Sequence, residues 1–190
     1  MNSNLKATAT VILLACATVA RADVTAQVSA VEQRQSGTMN TQTLDLGTAT
    51  TGSSANAFVD LRASGISQAQ SGASNVQSLT IGSATSSAFA VARSTVTAAG
   101  VQQAQSGTMN RETLVIGSAE SGAQGAATVN VDVHDIVQQQ TGFQNNLLME
   151  IGRVSSAAAG DTTVNVIVHG VHQSQDGAFR NDAVRIGVVE

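Results

Sequence analysis

Apolar residues fall two apart along this chain, in short bursts that end on glycine or a small polar residue. Val24, Ala26 and Val28 form one burst, Val59, Leu61 and Ala63 a second, Val129, Val131 and Val133 a third, and Val164, Val166 and Val168 a fourth. A weaker copy, Ser94, Val96 and Ala98, keeps the same spacing. Between the bursts an aliphatic pair recurs, as Leu44/Leu46, Leu79/Ile81, Leu114/Ile116, Met149/Ile151 and Val184/Ile186. Period two is the strand period and sends alternate side chains to one face. The pattern predicts an all-β chain.

The bursts keep time with a repeat. Gly37, Gly72, Gly107, Gly142 and Gly177 are 35 residues apart, and ten residues after each stands a second glycine: Gly47, Gly82, Gly117, Gly152 and Gly187. Five copies pass without an insertion or deletion, and a fixed period of this length decides the architecture before any local reading does. Each unit reads as three short strands, for instance residues 101–106, 112–119 and 127–134, with Gly-rich turns after the first and second. One corner residue, Gly65, Gly100, Asp135 or Gly170, separates the third strand from the next unit, and these residue types tolerate positive φ. The expected fold is a β-solenoid of about five 35-residue turns, three short strands per turn, stacked in register about 4.8 Å apart.

Paired glutamines precede each first glycine: Gln33/Gln35, Gln68/Gln70, Gln103/Gln105, Gln138/Gln140 and Gln173/Gln175. Three residues after it come Asn40, Asn75, Asn110 and Asn145, whereas the last copy has Arg180 and then Asn181. The opposite strand face varies freely, through Glu32, Ser67, Gln102, Val137 and His172, so the constant glutamine face is read as the inner one. A buried amide costs free energy unless paired, and a column of identical amides can bond each to the next. These Gln and Asn columns are the candidate self-assembly ladders, and both glycine columns are candidate corners.

Composition sharpens this picture. The 190 residues include no Pro, Trp or Tyr and only four Phe, so order has to come from repetition rather than from an aromatic core. Lys6, an apolar run over residues 7–19 and the small-x-small site Ala20-Arg21-Ala22 read as an export signal, too short to span a bilayer. Cys16 in Leu13-Leu14-Ala15-Cys16 also reads as a lipoprotein cleavage box, and that alternative stays open. The expected division is a signal peptide at 1–22 and a repeat domain at 23–190. The latter comprises a partial turn 23–30, repeats 31–65, 66–100, 101–135 and 136–170, and a partial turn 171–190. Cleavage after Ala22 leaves a chain that starts on a third strand and stops after a second, with no cysteine. It removes Lys6 and Arg21 from nine basic residues and none of the 13 acids, giving net −6, which argues against a nucleic-acid partner.

Catalytic chemistry is not evident: the acids are scattered, and no HExxH or GxSxG motif occurs. His134 and His169 are one repeat apart and should stack, with His172 near in sequence, but two outward histidines without a third ligand are read as solvated. Neither a metal nor a cofactor is expected, and the chain is read as a non-enzyme.

The motif Q-x-G-x-x-N, as in Gln70-Ser71-Gly72-Ala73-Ser74-Asn75, resembles the curlin repeat of bacterial curli fibres. That resemblance implies a secreted protein whose β-solenoid turns, laddered by Gln and Asn, assemble into amyloid fibres of the biofilm matrix. Departures are the longer repeat, the absent alanine two after the asparagine, the absent second glutamine beyond it, and L-x-I-G instead. The phrase G-x-x-N-x-Q at residues 37–42 and 72–77 is similar to repeats of Fap-type functional amyloids.

The resulting expectation is an extracellular structural protein that forms a homopolymer, or nucleates one, with a related fibre subunit or a secretion or anchor protein as further partner. Mature residues contain no transmembrane segment. A monomeric solenoid adhesin or ice-binding module is the alternative, although its outward column Thr43, Ser78, Thr113, Leu148, Ala183 loses its hydroxyls after three turns. In the last copy Asp176, Arg180, Asp182 and Arg185 add charge, a known restraint on edge pairing.

Overall fold

A computed structural model describes residues 14–17, 21–52, 55–87, 89–156 and 160–190. The chain is a parallel β-solenoid of about five turns of roughly 35 residues. Its strands are β1 (Leu14–Ala17), β2 (Arg21–Ser36), β3 (Thr41–Thr51), β4 (Asn56–Ala73), β5 (Val76–Thr85), β6 (Ala92–Thr108), β7 (Arg111–Ser121), β8 (Ala127–Phe143), β9 (Asn146–Ser156), β10 (Thr162–Ala178) and β11 (Asn181–Val189). One sheet runs β10-β8-β6-β4-β2 and the other β1-β3-β5-β7-β9-β11, so each turn contributes one strand to each.

The three segments expected per turn are present, but two of them join. The third-strand segment of one unit and the first-strand segment of the next form a single long strand bent at the corner residue. In β4 the ladder to β6 skips Gly65, passing from Ser64↔Ala99 to Ile66↔Val101. Ala30, Gly65, Gly100, Asp135 and Gly170 hold that corner at φ between 55 and 64°. The extra residue shifts the inward phase from Val59, Leu61 and Ala63 to Ile66, Gln68 and Gln70, all buried. Gly47 and its equivalents bend the second strand in the same way, so Leu44 and Leu46 are followed inward by Ala49.

Every ladder from β2 to β11 is offset by 35 residues, as in Gln33↔Gln68, Gln68↔Gln103, Gln103↔Gln138 and Gln138↔Gln173. Identical inward residues therefore lie on top of one another. The core is a continuous strip between the sheets, with Leu46, Leu61, Ile66, Leu79, Ile81, Leu114, Ile116, Ile136 and Ile151 fully buried. Burying such a side chain contributes about 1.5–3 kcal/mol. β1 stands outside this scheme: it pairs Leu14↔Thr48, an offset of 34. A one-residue difference exchanges strand faces, so β1 does not continue the repeat. Residues 1–13 and 18–20, which carry most of the leader reading, lie outside the described residues.

Both glycine columns have a steric cause. A Cβ on Gly72, Gly107, Gly142 or Gly177 would fall on the carbonyl oxygen of the glycine one turn earlier, at a φ of 122 to 129° that L side chains rarely adopt. At Gly82, Gly117 and Gly152 a Cβ would meet a Cγ2 methyl of Val96, Val131 and Val166 across the core. The first column lets backbones stack; the second makes room for valine.

Candidate functional site

The glutamine columns occupy the inner face of the long strands and hydrogen-bond as continuous chains. In the first column of each pair, Gln68 Nε2 donates to Gln33 Oε1 (2.7 Å), Gln103 to Gln68 (2.8 Å), Gln138 to Gln103 (3.2 Å) and Gln173 to Gln138 (2.9 Å). In the second, Gln70 donates to Gln35 (3.1 Å), Gln105 to Gln70 (2.9 Å), Gln140 to Gln105 (2.7 Å) and Gln175 to Gln140 (2.6 Å). Every donor belongs to the later turn. In all of these donors but Gln175 the amide also reaches a backbone carbonyl, as Gln103 does that of Thr113 (3.2 Å) and Gln105 that of Asn75 (3.2 Å). Gln68, Gln70, Gln103, Gln105, Gln138 and Gln140 are all buried, so these bonds satisfy groups that water cannot reach. At the last turn Gln175 Oε1 is left without a partner.

The asparagines stack as well, but by a different contact from the one the sequence suggests. Asn75 Oδ1 accepts the backbone N–H of Asn40 (3.0 Å), Asn110 Oδ1 that of Asn75 (3.0 Å) and Asn145 Oδ1 that of Asn110 (3.1 Å). The column is thus a series of side-chain caps on the corner backbone rather than an amide-to-amide ladder. The neighbouring corner residues Met39, Ser74, Met109, Gln144 and Phe179 are all left-handed, with φ of 54 to 57°. At Met39, Ser74 and Met109 the asparagine cap on the next N–H holds a conformation that a non-glycine residue adopts at a cost.

A third inward column carries Gln42, Gln77, Glu112 and Leu147, all buried. Gln77 Nε2 donates to Gln42 Oε1 (2.8 Å), but Gln77 Oε1 and both carboxyl oxygens of Glu112 have no partner. Burial pushes the Glu112 carboxyl well above the usual carboxylate range, offset in part by the Gln138 amide. The repeat does not announce this column because its residue type changes after two copies. Its only signal is position, two residues before the inward Leu44, Leu79 and Leu114.

On the outer faces His134 and His169 stack with ring centroids 5.0 Å apart, and His134 lies 2.9 Å from Asp132. His172 is exposed. Among the described residues no group of three His, Cys, Asp or Glu side chains is placed to hold a metal. Ala69, Ala104, Ser71, Ser106 and their neighbours floor an open groove of about 580 Å³ on the outside of the long strands. No described helix is long and apolar enough to cross a membrane.

The two ends of the stack differ in what they cover. Val24, Val28, Leu44 and Leu46 of the first turn are buried. Their counterparts Val164 and Val168 are half-buried, and Val184 and Ile186 are exposed. Among the described residues nothing pairs with the outer edges of β10 and β11. On the outer face of the second sheet Arg185 Nη1 lies 3.2 Å from Glu150 Oε1 and Arg153 Nη2 lies 2.8 Å from Glu190 Oε2. The chain matches no family model, no curated protein and no solved structure.

Proposed function

We propose that this chain is an exported structural subunit that polymerises head to tail into, or nucleates, an extracellular amyloid-like fibre of the curli kind. The observation that carries the reading is the in-register stack: at β10 and β11, whose outer edges pair with no described residue, the amide columns and the valine strip have a form that one more identical turn would extend. Unpaired edges with an apolar face are templates for strand addition. A contact between opposite ends of the molecule propagates instead of closing. The resemblance of the Q-x-G-x-x-N motif to curlin supports the same reading, and the partner it implies is first of all a second copy of this chain.

The test is to express the chain with its leader, recover the protein from outside the cell and determine its N-terminus. Electron microscopy and fibre diffraction of that material should show unbranched fibres with a meridional reflection near 4.8 Å. Deleting residues 23–30, the segment that starts on a third strand, should slow assembly. A protein that remains monomeric at high concentration refutes the polymer.

A further inference from the structure

Continuing the 35-residue phase by one turn sets residue n of a second copy on residue n + 140 of the first, as Gly177 already stands 140 residues after Gly37. This placement rests on the polymer reading above. It stacks Gln33 on Gln173 and Gln35 on Gln175, giving the free Oε1 of Gln175 an amide donor. It also covers Val164 and Val168 with Val24 and Val28, and Val184 and Ile186 with Leu44 and Leu46.

The glycines exclude other registers. A one-residue slip exchanges inward and outward faces. A two-residue slip puts Gln35 or Met39 of the second copy on Gly177, where a Cβ on the later turn falls on the carbonyl of the turn before.

In the remaining register the charges of the two ends match, although the 35-residue repeat does not require them to. Asp45 falls on Arg185 and Glu32 on His172, while Arg34 falls on Ser174, two residues from Asp176 on the same outward face. No like charges coincide. Arg185 is half exposed and already bonds Glu150 of the turn below at 3.2 Å, so the added Asp45 makes a column of acid, arginine, acid. Imidazole donates a hydrogen bond to Glu32 in either protonation state.

We propose that the two ends of this chain form one self-complementary joint for a second copy, set in the 35-residue phase by the glycines and selected by the Asp45–Arg185 and Glu32–His172 contacts. The charges of the last turn are then not a brake on growth but half of a matched pair. β1, which pairs with Thr48–Thr51 at the end that carries Asp45, lies within the expected leader and leaves with it on cleavage.

The experiment compares seeded elongation of the exported wild type with Asp45→Arg and Glu120→Arg. Both substitutions change net charge equally on an outer face of the second sheet. Glu120 stacks inside the molecule, between Thr85 and Ser155. Circular dichroism and a thermal melt establish that each variant folds.

Asp45→Arg should elongate about tenfold more slowly on wild-type seeds, because it opposes two arginines. Glu120→Arg should match the wild type, and seeds of Arg185→Glu should accept Asp45→Arg faster than wild-type seeds do. Equal rates for all three monomers on wild-type seeds, or equal slowing by both substitutions, overturn the joint while leaving the polymer intact. A wild type that forms no fibre overturns the polymer and the joint with it.

Discussion

Glu112→Gln is the most informative single change in the core. In the wild type the carboxyl sits one turn after Gln77, and neither its oxygens nor Gln77 Oε1 has a partner. Gln77 and Glu112 are register partners and their unpaired oxygens are both acceptors, so a proton on Glu112 supplies a donor that the pair otherwise lacks. Because burial raises the folded-state pKa, the folded chain retains a proton that the unfolded chain releases above the ordinary glutamate range. The stabilising contribution is therefore complete below that range. It is lost as pH rises toward the raised value, at up to about 1.4 kcal/mol per pH unit, and above that value the slope vanishes.

Glutamine has the same shape, carries the donor at every pH and continues the Gln42–Gln77 chain. The variant and the wild type should be nearly equal in stability at low pH, with the variant gaining steadily toward neutrality. Urea unfolding of the unassembled chain, followed by circular dichroism at several pH values, measures the difference. A stability gap independent of pH would falsify the assignment of a buried, protonated Glu112.

Further changes probe the stack by the same unfolding assay. Gln103→Ala removes bonds to Gln68, Thr113 and Gln138 and should cost about 3–5 kcal/mol, whereas Gln102→Ala on the exposed face should stay within about 0.5 kcal/mol. Equal losses would mean that the inner amides are not satisfied as described. Gly107→Ala should cost about 3 kcal/mol or more, since its Cβ meets the Gly72 carbonyl. Ala30→Gly should stabilise by about 1 kcal/mol by relieving a left-handed alanine. At the second glycine column, Gly117→Ala should destabilise, and adding Val131→Ala should recover part of the loss. A strictly additive double mutant would show that the Val131 methyl is not what excludes a side chain there.

Much of this fold is written in the period. Once the glycines fix 35 residues, in-register stacking follows, and the constancy of Gln33 through Gln175 marks the inner face because only a repeated amide can satisfy itself there. What the period conceals is chemistry that does not repeat. Glu112 interrupts its own column, so a search for constant positions passes over it. The left-handed corners at Met39, Met109 and Phe179 are equally hidden, because Met and Phe are not turn formers. The backbone there is imposed by the glycine before and, at Met39 and Met109, by the asparagine cap from the next turn.

Fusion of the third and first segments into one strand was also illegible, since a corner residue with positive φ reads as a break although hydrogen bonding resumes on its far side. The asparagine contact is equally illegible: a carboxamide beside a tight corner finds a backbone N–H sooner than another side chain.

The glutamine columns have one more property. In all eight amide contacts the donor lies on the later turn, so the amide dipoles, each comparable with the roughly 3.5 D of a peptide unit, add along the axis instead of cancelling. The molecule is therefore an electrical arrow, with partial positive charge at Gln33 and Gln35 and partial negative charge at Gln173 and Gln175. Any filament stacked from it inherits that sense, and its two tips present different chemistry to an arriving subunit and should lengthen at unequal speeds.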